Sequence, residues 1–416
     1  MSNSHPYITA FNNFIKWALL CGIVGMSVGS VTALFLSSLD FVTLYREQHA
    51  WIIYSLPIVG LLIGLSYYHL GKESIKGNNL LLEVHQSPNA SIPFLMAPLV
   101  FIATLLTHLT GGSAGREGTA VQMGGAIADQ FTKWFRLNEL ERKTIVIIGI
   151  SAGFAAVFGT PLAGAIFALE IMSLRRIHLR SILPSFAAAY IAHYTCLAWH
   201  IEHTNYTLTI LNSFEIKHIG WAAFTGIIFG LTALAFTWLG KGWKKLFNLI
   251  SYVPLRPFIG GILIVIVIQL LGATKFIGLG IPSIVASFTT QAGPYDFLIK
   301  LVLTTMTLNA GFKGGEVTPL FFIGATLGSA LIMFIPLPLA ILAAMGFVAV
   351  FAGATHCVIA SIVMGIEIFG LQAGLYVGIA SIFAYFSSGI EGIYSAQEKI
   401  GTKYEMYSYI KKVFSL

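Results

Sequence analysis

Two ten-residue stretches decide the fold: Pro161-Leu-Ala-Gly-Ala-Ile-Phe-Ala-Leu-Glu170 and Val358-Ile-Ala-Ser-Ile-Val-Met-Gly-Ile-Glu367. Small, large and acidic positions match down both. Upstream of each lies a second match. Gly115-Arg116-Glu117-Gly118-Thr119 lines up with Gly314-Gly315-Glu316-Val317-Thr318, and Gly125-Ala126 with Gly324-Ala325. Glu117 and Glu170 are 53 residues apart, Glu316 and Glu367 51. Two anchors at nearly equal spacing mark one internal duplication; an array of soluble repeats would need more copies and a shorter period. Paired, interrupted apolar segments in two halves point to a transporter whose site lies where the halves meet.

The surrounding sequence says which solvent the duplicated unit meets. No Asp, Glu, Lys or Arg occurs in the 50 residues between Glu316 and Glu367, in the 26 from Thr144 to Leu169, or in the 23 from Ile368 to Ile390. A spanning helix needs about 20 mostly apolar residues. Across 416 residues there are 24 Lys and Arg and 17 Asp and Glu, with 56% hydrophobic residues, and the mean hydropathy is +0.81. A soluble domain carries about a quarter charged residues, so a cytosolic enzyme, a nucleic-acid binder and a disordered chain are excluded. Membrane barrels give short alternating segments instead. The reading is an all-α polytopic membrane protein.

The net charge of +7 comes from short clusters: Arg142-Lys143, Arg175-Arg176 with Arg180, Lys241 with Lys244-Lys245, and Lys411-Lys412. These read as loop and terminal charges that set topology, with no nucleic acid as partner. Cys21, Cys196 and Cys357 lie far apart in apolar sequence and form neither a metal-ligand spacing nor a disulfide framework. They read as small buried apolar residues. The opening stretch, with His5, Pro6 and Lys16, lacks a cleavage site and reads as a first membrane helix.

Helices are expected near 9–38, 50–70, 93–109, 119–132, 144–158, 161–174, 183–200, 217–239, 256–272, 280–290, 296–310, 319–334, 337–353, 357–370 and 372–388. Several are too short to cross a bilayer. They are punctuated at Gly111-Gly112, Gly159-Thr160-Pro161, Gly280-Ile281-Pro282 and Gly314-Gly315. Broken helices persist in a membrane only where protein or a watery cavity satisfies the freed backbone. The expected organisation is a single membrane domain over 1–416, with repeat halves 50–200 and 217–390. A short soluble tail, 391–416, follows, with no C-terminal regulatory domain.

Glu117 is the first candidate for chemistry. Gly115 and Gly118 let a ligand approach the backbone, and the helix that follows offers free N–H groups and the positive end of its dipole. Such an end binds an anion, and it binds the Glu117 carboxylate equally well. The carboxylate then acts as a switch, occupying the anion site when ionised and leaving it when protonated. Arg116 beside it reads alternatively as half of a surface ion pair. Glu316 is aligned with Glu117, at a helix start where Pro319 has no N–H to lose; complementing the dipole is its plainer role. Glu170 and Glu367 read as structural or interfacial carboxylates. Asn78 and Asn79 are either amide donors to an anion or a helix cap. Thr119 and Thr318 are either caps or donors. Tyr394 is either a single strong donor or an interfacial tyrosine.

With these residues in hand, the chain resembles the CLC family of chloride channels and anion/proton antiporters, over almost the whole membrane domain. Gly115-Arg116-Glu117-Gly118 looks like the family's G-[K/R]-E-G-P signature, whose Glu is the external gate. Gly314 to Pro319 looks like G-G-x-F-x-P, and the segment from Gly159 to Gly164 resembles one of the family's paired Pro-Leu-Ala-Gly helices. Tyr394 matches the central anion-coordinating tyrosine by position. The departures are Thr119 for the signature Pro, Glu316-Val317 in the third motif, and Gly77-Asn78-Asn79 where the family has G-S-G-I-P. Ile171 stands where chloride/proton antiporters tend to carry a proton-relaying Glu. This combination is similar to the fluoride-exporting branch, bacterial fluoride/proton antiporters with G-R-E-G-T and an acidic third motif.

The resemblance implies an inverted repeat of broken helices, a homodimer, and a bacterial inner (plasma) membrane location. Fluoride and protons would be the transported ions, with no cofactor and no metal. Glu117 would gate and carry protons, and Glu316 would act as a second acid. Asn78, Arg116, Gly118, Thr119, Gly315, Val317, Thr318 and Tyr394 would line the anion path. Fluoride is small and strongly hydrated, so its site needs close, strong donors; Thr119 keeps an N–H that Pro lacks. The alternative within the fold is a chloride/proton antiporter or passive chloride channel. A membrane hydrolase is disfavoured because no H-E-x-x-H or G-x-S-x-G occurs. A cation carrier is disfavoured because acids at helix N-termini sit where cations are repelled.

Overall fold

The computed structural model describes residues 6–87, 91–172, 179–206, 208, 216–272 and 274–413; Arg175 and Arg176 fall outside these. Among the described residues there are seventeen α-helices and no strand beyond one isolated bridge. The first half runs α1 Pro6–Gln48, α2 Leu56–His69, α3 Asn78–Gln86, α4 Met96–Leu109, α5 Glu117–Trp134, α6 Glu139–Phe158, α7 Pro161–Ile171 and α8 Leu179–Ala198. The second runs α9 Ile216–Asn248, α10 Leu255–Leu271, α11 Ile281–Ala286, α12 Asp296–Ala310, α13 Val317–Ala330, α14 Leu339–Thr355, α15 Val358–Phe369 and α16 Leu371–Ser387, followed by α17 Thr402–Val413.

Among the described residues, three helical stretches are long and apolar enough to cross a membrane: Phe11–Gln48, Ala50–His69 and Lys217–Asn248. At 1.5 Å per residue, α1 and α9 are longer than a hydrocarbon core about 30 Å thick, so they must tilt or project. The site-bearing helices are short. α7 has 11 residues, α15 has 12 and α13 has 14, so their ends lie within the protein.

The packing repeats between the halves. α1 packs on α8, α6 and α4, as α9 packs on α16, α14 and α12; α5 lies on α6 as α13 lies on α14. This extends the first half back to α1, which the sequence reading left outside the repeat. Small residues permit the closest approaches. A methyl group on Gly124 would strike the Gly149 carbonyl, and one on Gly324 would strike that of Gly346.

Gly115 and Gly315 pair antiparallel, the Gly115 amide donating to the Gly315 carbonyl at 2.6 Å and the Gly315 amide to the Gly115 carbonyl at 2.7 Å. An antiparallel pair with reciprocal bonds has a local two-fold axis at its centre. The fold is therefore an inverted repeat, and α5 and α13 start on either side of that axis. The pairing also corrects the register. The halves correspond at Gly115 with Gly315, so Arg116 is equivalent to Glu316, Glu117 to Val317, and Gly118 to Thr318. Matching the two acids had shifted the alignment by one residue. Backbone pairing and helix starts, at Glu117 and Val317, carry the true correspondence.

Two helices lie outside the expected spans. α3 has only nine residues, of mixed polarity, and α17 is polar and amphipathic, so neither shows a membrane-length apolar run.

Candidate anion site

The two loops that cross at the axis bring the acids together. Glu117 is the first residue of α5 and is 1% exposed. Its Oε2 accepts from the Thr318 amide at 3.0 Å and from the Arg116 amide at 3.1 Å. Its Oε1 accepts a very short hydrogen bond from the Thr318 hydroxyl. The Arg116 Nε lies 3.7 Å from the same oxygen. Most of the donors that seat the carboxylate therefore come from the first turn of α13, in the other half, and not from the helix Glu117 itself begins. An amide, a hydroxyl and a dipole end around one carboxylate make an anion site in which the carboxylate stands where an ion would be held.

The other candidates sit at graded distances. Glu316 precedes α13 as its N-cap residue. A methyl group on Gly118 would lie 3.0 Å from Gly315 Cα, 3.1 Å from Asn78 Nδ2 and 3.8 Å from Glu316 Oε2. Gly118, Gly315, Asn78 and Glu316 therefore surround one small space, which only a glycine at 118 keeps open. The Asn78 Oδ1 is buried without a partner. Val317 is buried at the start of α13, with its side chain in the core.

Asn79 has a different job. Its Oδ1 accepts from the Ala396 amide at 2.9 Å and from the Ser395 hydroxyl at 3.3 Å. It thereby ties α3 to the segment carrying Tyr394, while the Ile393 amide donates to the Ala354 carbonyl at 2.8 Å. Tyr394 is buried, within electrostatic range of both Glu316 and Glu117.

The Thr119 hydroxyl turns away from the site. It pairs with the Thr104 hydroxyl of α4 at 2.8 Å, so its side chain packs helix on helix. Glu170 and Glu367 bond to other helix starts. Each carboxylate accepts two backbone amides at the start of the helix carrying the other, Ile359 and Ala360 for Glu170, Leu162 and Ala163 for Glu367.

Three neighbours escaped the sequence reading. Gln122, one turn beyond Gly118 on α5, lies beside Gly77, whose φ of +58° suits a glycine. His108 is fully buried with Nε2 3.4 Å from the Gly115 carbonyl. Lys313 sits two residues before Gly315, its ammonium 4.1 Å from the centre of the Tyr67 ring. The sequence signal for Gln122 was its four-residue spacing from Gly118, which places both on one helix face. Of the aromatics, Phe321 lies one turn into α13 from Val317. It stacks on Phe347 with ring centres 3.9 Å apart and meets Phe158 at 5.3 Å, forming an apolar wall beside the first turn of α13.

Known proteins resemble this chain in sequence and fold. Residues 59–389 match the family model for voltage gated chloride channels. A chloride/fluoride channel protein of Pseudomonas syringae pathovar tomato is 47% identical over 402 residues, covering 94% of this chain and 87% of that protein. An H(+)/Cl(-) exchange transporter of Cronobacter sakazakii is 26% identical over 335 residues, covering 75% and 72%. The crystal structure of a CLC-type fluoride/proton antiporter superposes with a TM-score of 0.89 at 36% identity, covering 92% of this chain and 98% of the other. A slow cyanobacterial Cl-/H+ antiporter shares the fold, with a TM-score of 0.79 at 19% identity. The chain belongs to the voltage gated chloride channel, or CLC, family of membrane transport proteins.

Proposed function

We propose that this protein is a fluoride/proton antiporter that exports cytoplasmic fluoride across a bacterial inner membrane, using the inward proton gradient and working as a homodimer. The observation that carries the reading is the Glu117 carboxylate seated on the Thr318 amide and hydroxyl. Protonation removes the charge that holds Glu117 there, the carboxyl swings out, and an anion takes over the same donors. One residue then alternates between proton and anion, which is the requirement for exchange. Glu316 and Asn78, on the opposite side of Gly118, offer a second acid and an amide donor to the ion's next position. Tyr394 closes the path from the other end. The 47% and 36% identical relatives support fluoride as the ion.

The test is flux from proteoliposomes loaded with fluoride. Fluoride efflux should drive proton uptake, and Glu117→Gln should abolish that proton movement. Intact coupling in the variant sinks the assignment. A second reading, passive or proton-coupled chloride transport, is favoured by the similarity to an H(+)/Cl(-) exchange transporter. Fluoride- and chloride-selective electrodes on one preparation separate the two.

A further inference from the structure

The site holds two acids close together, and an arriving anion adds a third negative charge. In a low-dielectric interior such a cluster is strongly disfavoured without nearby cations. Arg116 serves Glu117, at 3.7 Å, and also faces Asp40. That leaves Glu316 and the ion beside it to be compensated.

Lys313 is placed to do this. It lies in the loop between α12 and α13, three residues before Glu316, and the two interact electrostatically. The residue is partly exposed. Among the described residues it makes no ion pair within 4.0 Å. Its seat is the face of the buried Tyr67, 4.1 Å away, in the last turn of α2. A cation held over an aromatic ring keeps its charge and stays available to an anion. A carboxylate partner would have neutralised it.

The repeat shows that the loop itself does not require a cation there. In the structural register, the first-half counterpart of Lys313 is Ser113. Its hydroxyl pairs with Thr304 at 2.8 Å, and the same loop path follows. The charge at 313 is therefore an addition made on one side of the axis, the side that also carries Glu316.

We propose that Lys313, held over Tyr67, is the cation that offsets Glu316 and sets the affinity of the path for its anion. It acts as a positioning and specificity residue beside the carboxylate pair. This rests on the anion-transport reading above.

The experiment measures initial fluoride efflux against fluoride concentration in proteoliposomes for the full-length protein and for Lys313→Gln, Lys313→Arg, Tyr67→Phe and Tyr67→Leu. Removing the charge should raise the half-saturating fluoride concentration by about ten-fold or more, while the arginine variant stays within about two-fold of the parent. Tyr67→Phe keeps the ring face and should match the parent, and Tyr67→Leu should shift toward Lys313→Gln. A lowered maximal rate with unchanged half-saturation in Lys313→Gln, or failure of Lys313→Arg to restore it, overturns the proposal. If the parent carries chloride and not fluoride, the fluoride reading fails alone, and the same comparison made with chloride still decides Lys313. If the parent carries neither ion, both fall.

Discussion

Glu170 and Glu367 cap each other's helices. The Glu170 carboxylate accepts the Ile359 and Ala360 amides at 3.0 and 2.8 Å, and the Glu367 carboxylate accepts the Leu162 and Ala163 amides at 2.9 and 2.8 Å. Each acid sits near the end of the helix whose start the other one satisfies. This is the clearest signature of the two-fold relation after Gly115 and Gly315, and it explains acids inside apolar helices without giving them to the ion. First-turn amides in a dry environment need an acceptor, and a carboxylate meets two of them while complementing the dipole.

Replacing either acid with alanine leaves two first-turn amides without their carboxylate acceptor. Each lost charge-assisted hydrogen bond costs about 1.5–3 kcal/mol. Glu367→Ala and Glu170→Ala should each lower the melting temperature of the detergent-purified protein by several degrees. The coupling ratio of the surviving protein should stay unchanged. A changed fluoride-to-proton ratio, read by paired electrodes, would return these acids to the transport path.

Gly118 faces Gly315 and Asn78 across a space that a methyl group would fill. Overpacking of this kind costs about 1–3 kcal/mol. Gly118→Ala should therefore lower the melting temperature by a few degrees and, by filling this space, cut fluoride flux by about ten-fold or more in the protein that remains folded. Normal flux would mean that the ion passes elsewhere.

Thr318 spends both of its donors on Glu117. In a Glu117→Gln background, where no gate charge competes, adding Thr318→Val should weaken fluoride binding by about ten-fold, the loss of one hydrogen bond to a charge. Thr318→Ser should keep most of the affinity. Titration calorimetry on the two double variants checks this, and equal affinities would remove the hydroxyl from the site.

Lys403 on α17 is completely buried, with Nζ 2.9 Å from His356 Nε2, 3.0 Å from the Ser388 hydroxyl and 4.3 Å from the centre of the Tyr385 ring. His356 in turn meets Tyr404 at 2.9 Å and feels the charge of Lys399. Burial pushes Lys403 down to about 7. The undocked helix then binds more protons than the docked one between that value and the ordinary lysine range, so docking strengthens as pH rises through this window. Protection of residues 402–413 from protease should increase from pH 7 to pH 10, and Lys403→Met should flatten the dependence. A pH-independent parent would contradict it.

Much of this site was legible before any geometry. Glu117, Glu316, Asn78, Thr318 and Tyr394 stood out because glycines and helix starts interrupt apolar sequence at those places, and polar groups there are conspicuous. Thr119 was read on the same grounds, yet its hydroxyl bonds to Thr104. A one-dimensional pattern says that a polar group is present and not which way its side chain turns. Lys313 was invisible for the opposite reason: a lysine in a loop is ordinary until Tyr67, far away in the chain, is found beneath it.

By itself the sequence determined the solvent, the helical class and the duplication, because these follow from charge scarcity and from the recurrence of one apolar pattern. It also drew attention to a handful of acids, since carboxylates are costly in apolar segments and few remain. Only the tertiary structure decided the register of the two halves and the partners of those acids. The match of Glu117 to Glu316 gave way to the pairing of Gly115 with Gly315, and Glu117 found its donors on a helix 200 residues downstream. Hydrogen bonds between distant segments depend on how chains cross in space, and local spacing carries no record of that crossing.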